Sequence, residues 1–290
     1  MPPPLRRPLG RRAALLVLGV VLPLSLVPSA SRGDAAWTSL GTGMTRGISG
    51  LAPAPSGWVI ARDNKVAGQS RIALVSPALQ VTELSWPGTA PNDLEALAPV
   101  PGTPNRYVAC TSARVCSVID IAGTTVTVRR TFTLPVGGKQ NESLAFGTTS
   151  AGTMVALWAD RGSPTAPGKL HAAFVDLSTW TFGTVATAKV SVPWPTGPIR
   201  HITDAALVNG HIIVTSATDP GTSGPFDSAA YDVGTLGQTS TKATLSVHSP
   251  TELGRFPGHK IEGLTCVSAT DLLGTDDEKA GGSVAQVDIC

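Results

Sequence analysis

Lys260-Ile261-Glu262-Gly263-Leu264, then Leu272-Leu273-Gly274-Thr275-Asp276, then Ser283–Ile289 with Asp288 inside it, is one copy of a unit that recurs along this chain. The unit opens on a four-residue core: an aliphatic or polar residue, an acidic one, a small one, then usually Leu. Earlier copies of the core are Ile48-Ser49-Gly50-Leu51, Leu94-Glu95-Ala96-Leu97, Asn141-Glu142-Ser143-Leu144 and Thr203-Asp204-Ala205-Ala206. Successive second positions lie 46, 47, 62 and 58 residues apart. Each core is followed by a short apolar run ending in small or acidic residues, as in Trp58–Asp63, Tyr107–Thr111, Val155–Asp160 and Ile212–Ser216. A turn rich in Gly, Pro or charge comes next. An alternating run follows, closing on Asp120, Asp176, Asp232 or Asp288; the first copy, Arg71–Val75, lacks that aspartate.

A fourth run completes four of the copies: Val81–Trp86, Val126–Leu134, Val185–Trp194 and Ala243–His248. The last copy has none, because the chain stops at Cys290. Trp37-Thr38-Ser39-Leu40, ahead of the first core, is the natural substitute. Period and alternation together predict an all-β chain, a single β-propeller of five four-stranded blades closed by its N-terminal strand. Six blades is the alternative, with an extra copy hidden in the longer third and fourth intervals. Thirty-one Gly and 24 Pro fit many short strands, and no stretch carries a capped helical period.

The ends of the chain carry a different signal. Arg6, Arg7, Arg11 and Arg12 precede an apolar run, Ala13–Val27, and small residues at 29–31. This predicts a signal peptide over 1–30, cleaved between 29 and 36, with the propeller over 37–290 and a secreted, extracellular product. An uncleaved membrane anchor is the minority reading, disfavoured by the short run and by Pro23. Of 22 Lys and Arg, those four leave with the signal, so 18 basic side chains face 20 acidic ones. Without a basic stripe the balance argues against nucleic acid as a partner. No later segment is apolar enough to span a bilayer. A monomer is expected, with a small anionic ligand or a protein as partner. Four cysteines suit an oxidising compartment, and Cys110–Cys116 and Cys266–Cys290 are the expected pairs of three possible arrangements.

Glu95, Glu142, Asp204 and Glu262 hold the same repeat position in four blades. Turned to the axis, they would bring like charges together, which a hard cation such as Ca²⁺ would relieve. Caps on backbone N–H groups of the neighbouring blade are the equal alternative. Three residues before each second position stand Arg46, Asn92, Lys139, His201 and His259. They suggest a cationic rim for an anionic ligand, against the simpler reading of solvated loops. Asp276-Asp277-Glu278 reads as a solvated acidic turn, with Asp63 and Asp160 as turn-stabilising counterparts. Asn141-Glu142-Ser143 matches a glycosylation sequon but overlaps a core strand. Serine-hydrolase elbow, zincin, phosphate-loop and dinucleotide signatures are absent.

The E-G-L type core, with the strand ending in Asp and the closing hydrophobic-Asp-hydrophobic strand, resembles the esterase-like phytase family and related extracellular calcium propellers. Leu94–Leu97, Lys260–Leu264 and Gly274–Glu278 carry the resemblance, and Ser49 departs from it. It implies a propeller with calcium in its channel. Two functions follow: an extracellular binding or scaffold domain stabilised by a divalent cation, or a metal-dependent hydrolase of phosphate or carboxylic esters. In the second, the four acids hold the cation and His201 and His259 are candidate general bases or phosphate contacts.

Overall fold

The computed structural model describes residues 1, 35–266 and 271–290. The expected signal peptide falls almost wholly outside them. Among the described residues from Trp37 onward the chain is all β, with two single 3-10 turns at Met44–Arg46 and Glu278–Ala280.

Five antiparallel sheets follow one another. Blade I comprises Gly50–Pro53, Trp58–Ala61, Ile72–Val75 and Val81–Leu84. Blade II comprises Leu94–Pro99, Arg106–Thr111, Val115–Ala122 and Thr125–Thr133. Blade III comprises Asn141–Thr148, Met154–Asp160, Gly168–Asp176 and Ala186–Val190, with the short Thr181–Phe182 also beside its third strand. Blade IV comprises Ile199–Val208, His211–Thr218, Asp227–Gln238 and Ala243–Pro257. Blade V comprises Ile261–Thr265, Asp271–Thr275, Gly282–Val287 and the N-terminal strand Thr38–Gly41. The innermost strands of successive blades contact one another in a closed ring, V touching I. The fold is a five-bladed β-propeller, and the longer third and fourth repeats hold longer loops and strands rather than a sixth blade.

Ring closure is a strand pairing. Thr38 stands opposite Val284, Ser39 opposite Ser283 and Gly41 opposite Gly282. Trp37 continues the join, stacking on His259 with ring centroids 4.1 Å apart and meeting Phe256 edge-on. Joining the two chain ends in one sheet leaves the last blade without a missing strand.

Strand composition follows blade position. Second strands lie between two neighbouring blades and are buried on both faces, so they read as continuous apolar runs: Val59, Ile60 and Ala61, or Val155 to Ala159. Fourth strands face solvent: in Thr125–Thr133 only Val126 is buried, Val128 and Phe132 are half-buried and the rest are exposed. Apolar clusters fill the spaces between blades, the one between III and IV holding Leu157, Ile202, Val214 and Tyr231. Each fully buried aliphatic side chain contributes about 1.5–3 kcal/mol relative to exposure.

Both expected disulfides are present, and no described cysteine is free. Cys110 and Cys116 are direct cross-strand partners in blade II. Cys266–Cys290 spans 24 residues and fastens the chain end to blade V. A loop of that length restricts the unfolded chain by about 3 kcal/mol, more than the six-residue first loop does. Among the described residues no helix is long and apolar enough to cross a membrane.

Candidate functional site

A β-bulge recurs in the innermost strands. In blade II, Leu94 pairs with Thr111 and Ala96 with Cys110, so Glu95 is the extra residue. In blade III the pairs are Asn141 with Asp160 and Ser143 with Ala159, leaving out Glu142. In blade V they are Ile261 with Thr275 and Gly263 with Gly274, leaving out Glu262. A bulge re-aims the unpaired side chain. All three glutamates line one axial cavity of about 320 Å³, to which every blade contributes.

Blade IV is built differently. Arg200 pairs with Ala217 and Asp204 with Thr215, four residues against two. Asp204 is therefore itself in register, and Arg200 reaches the cavity in its place. The Asp204 carboxylate accepts hydrogen bonds from Leu264 N in blade V, at 2.7 Å, and from Ala205 N, at 2.8 Å. Of the four expected metal ligands, the structure brings together Glu95, Glu142 and Glu262 and keeps Asp204 as a bond between blades.

Residues one or, in blade I, two positions past the second strand form another ring. Asp63, Ser112, Arg161 and Asp276 occupy it in blades I, II, III and V, and all line the cavity. Asp219, its blade IV equivalent, holds Arg200 Nη2 at 2.7 Å. Seven carboxylates and five cationic side chains line the cavity in all. Arg200 bonds Glu262 at 2.6 Å and lies 3.5 Å from Glu142. Lys260, almost fully buried, lies 3.3 Å from both Glu262 and Asp276 and also pairs with Glu278. Burial opposes the charge on Lys260, yet Glu262 and Asp276 hold its pKa above the ordinary lysine value.

The acidic excess gathers at one corner. Carboxylate oxygens of Asp63, Asp93 and Glu95 all lie within 4.8 Å of one another. Lys65 spans Asp63 and Asp93 at 3.5 and 2.8 Å, with most of its side chain in solvent. Ser112 Oγ donates to Asp93. Burial, then Glu142 and Glu262, push the Glu95 carboxyl well above the ordinary range. Burial drives Glu142 and Asp276 to about 7, with Glu262 adding to both shifts and Arg200 and Lys260 respectively resisting them. Burial and Glu262 also raise Asp63. Burial would raise Asp93 too, but Lys65 and Ser112 hold it low.

The expected cationic rim does not form as a ring. Only Lys139 lines the cavity. Arg46 pairs with Glu83 on blade I. His201 accepts a bond from Val192 N, and burial lowers its pKa. His259 is 2.8 Å from Asp277 and stacks on Trp37. The side chains that do enter stand one position away: Asp93 beside Asn92, Gln140 beside Lys139, Arg200 beside His201 and Lys260 beside His259. Only Arg200 and His201 lie within a strand, Ile199–Val208, where a one-residue step exchanges faces; the other three pairs sit in the connections that lead into the innermost strands.

Asp276 and Asp277 are buried rather than in a solvated turn. Asp277 accepts from Lys260 N and Thr275 Oγ1. Asp160 accepts from Gly138 N at 2.8 Å, in the connection that leads into blade III, and pairs with His171 rather than bonding within the turn that follows it. Asn141 is fully buried, so the sequon offers no accessible side chain.

No protein-family model matches the sequence, and no curated protein does. Among solved structures the chain is similar to the Neurospora crassa Pan2 WD40 domain, with 10% identity and a TM-score of 0.41, over 82% of this chain and 74% of that one. It is also similar to a protein named as an exo-beta-1,3-galactanase from Bifidobacterium bifidum s17, with 11% identity and a TM-score of 0.41, over 84% and 87% of the two chains.

Proposed function

We propose that this chain is an exported binding propeller whose channel holds a divalent cation, calcium by its donor chemistry, at the Asp63–Asp93–Glu95 corner. The observation that carries the reading is the spacing of those three carboxylates. Oxygens bound to one Ca²⁺ at about 2.3–2.6 Å cannot stand much more than about 5 Å apart, and these meet that limit. The donors are all oxygen, the corner is irregular and open to water on one side, and calcium tolerates such geometry better than magnesium does. Lys65 serves as the exchangeable counter-charge. Export is supported by the arginine-led apolar run over 1–30 and by two disulfides. Calorimetric titration of calcium into the chelator-treated protein tests the reading, with Glu95→Gln and Asp63→Asn expected to abolish the heat.

The second reading is a metal-dependent hydrolase of phosphate or carboxylic esters, in line with the phytase-like resemblance. Its support is that Ser112, Lys139 and Arg161 line the same cavity as the carboxylate corner. A cation polarising an ester oxygen beside such groups would stabilise developing negative charge. His201 and His259 lie elsewhere, so a proton acceptor would come from the channel carboxylates. Calcium-dependent release of phosphate from an aryl phosphate or inositol phosphate, lost in Glu95→Gln, is the outcome that favours it.

A further inference from the structure

A second cavity, of about 540 Å³ and so larger than the channel, opens between blades III and IV. It lies at the opposite end of the propeller. The innermost strands Asn141–Thr148 and Ile199–Val208 start beside the channel, where Glu142 and Arg200 line it, and run away from it. Their far ends, and the turns into the second strands, wall this groove.

The walls are fixed by the backbone. In blade III, Thr149 N donates to Thr153 O at 3.0 Å and Gly152 N to Thr149 O at 2.9 Å. In blade IV, Asn209 and Gly210 take φ +50 and +84, the two left-handed residues of a tight hairpin turn. Leu236 N donates to Gly210 O at 2.8 Å and ties that turn to the third strand. Thr149 Oγ1 donates to Gln238 Oε1 and links the two blades beside the groove. Gly147 allows their close approach, since a Cβ there would lie 3.1 Å from Leu207 Cδ1. Leu207 and Leu236 form an apolar floor, part of the cluster that fills the space between the blades. Small-molecule sites are usually pre-formed in this way and occupy about 300–1,000 Å³.

The lining selects the chemistry of the ligand. Thr148, Ser150, Asn209 and Thr235 present hydroxyl and amide groups to the groove. Among the described residues, none of these four side chains has a hydrogen-bond partner. Each can both donate and accept. No Lys, Arg, Asp or Glu is among the described lining residues. The one titratable group, His211, is already held by Asp232, with Nδ1 2.8 Å from Oδ2. A charged ligand would therefore meet no free counter-charge. A wholly apolar one would cover the hydroxyl and amide groups and leave them without water or a partner, which costs binding energy. A ring with hydroxyl groups on its edge and C–H groups on its face satisfies both parts of the lining.

We propose that this groove binds a neutral saccharide of one or two rings, separately from the channel and independently of its cation. Leu207 and Leu236 take the C–H face of one ring. Thr148, Ser150, Asn209 and Thr235 bond its hydroxyls from both sides. The four come from two blades, so the site exists only where blades III and IV meet.

The test uses the whole chain with calcium in excess, so that the channel is in one state throughout. Glucose, galactose, cellobiose and lactose are titrated separately to millimolar concentrations, read by backbone amide chemical shifts. At least one should shift the amides of Gly147, Ser150, Gly210 and Leu236 saturably and leave those of Glu95 and Lys260 in place. Thr235→Val keeps the strand and removes a hydroxyl. Asn209→Gly keeps the left-handed turn and removes the amide. Each should weaken binding about three- to tenfold, the net worth of one hydrogen bond, and Glu95→Gln should leave it unchanged. Glucuronate and galacturonate should bind more weakly than their neutral parents. No saturable shift at the groove from any of the four sugars would overturn the proposal. A uronate that binds as tightly as its parent would overturn it too, as would undiminished binding in the Thr235→Val, Asn209→Gly double variant.

Discussion

Asp204 and Leu264 join two blades through a single hydrogen bond: Asp204 Oδ2 accepts the Leu264 N–H at 2.7 Å across the interface of blades IV and V. The acceptor shares its repeat position with three channel glutamates, yet it is spent on backbone. Two extra residues in the innermost strand of blade IV account for the difference. Without a bulge at its own position, Asp204 stays in the plane that faces the next blade.

Asp204→Ala should therefore destabilise the fold without touching the channel. It strands the buried Leu264 N–H, at about 1–3 kcal/mol. Asp204→Asn keeps one acceptor and should lose less. Chemical denaturation gives both values. The calcium response of either variant should equal that of the parent, whereas Glu95→Gln should lose the response and keep the stability of the chelated parent.

Gly47 packs directly against Asp276, one of the carboxylates that line the channel. A Cβ there would sit 2.0 Å from Asp276 Oδ1. Gly47→Ala should push that carboxylate away from Lys260 and cost about 1–3 kcal/mol, the usual range for overpacking. Asp276→Ser removes the obstacle, so the double variant should be less destabilised than the sum of the two changes. A denaturation cycle over the four proteins measures the coupling.

Stability in chelator should fall as pH rises through neutrality. Glu95, Glu142, Asp204 and Asp276 all have folded-state pKa values above the ordinary carboxylate value, Glu142 and Asp276 at about 7. A raised folded pKa means that the folded protein binds protons the unfolded chain has released. The resulting stabilisation is complete below about pH 4 and is lost as pH climbs through about 7, at up to about 1.4 kcal/mol per pH unit for each group. Carboxylates held low, such as Asp93 and Asp120, act in the opposite sense and only in more acid solution. Melting temperature in chelator should be higher at pH 5 than at pH 7.5. Saturating calcium should shrink the difference, since the cation takes the place of the protons. A rise in melting temperature from pH 5 to 7.5 in chelator would contradict the charge arrangement.

The sequence showed the fold more fully than the site. Five cores, apolar second strands and the stranded Trp37–Leu40 segment were legible because each blade repeats one pattern and closure needs one spare strand. The acidic ring was legible at Glu95, Glu142 and Glu262. Asp204 was not separable from them, because a two-residue insertion in a strand leaves the motif intact and changes only its register. Lys260, Arg200 and Asp93 were missed by one position each. A bulge breaks the two-residue alternation that decides which face a side chain takes, and nothing in the spelling of the core marks where it falls.

The most direct measurement is a calcium titration of chelator-stripped protein, read by heat and by melting temperature. The account predicts one ion bound per chain and a melting temperature that rises with free calcium as ligand linkage requires. Glu95→Gln and Asp63→Asn should abolish both signals, and Asp204→Asn should keep both. No heat and an unchanged melting temperature through millimolar calcium would contradict it, leaving Lys65 and the buried protons as the counter-charges of the channel.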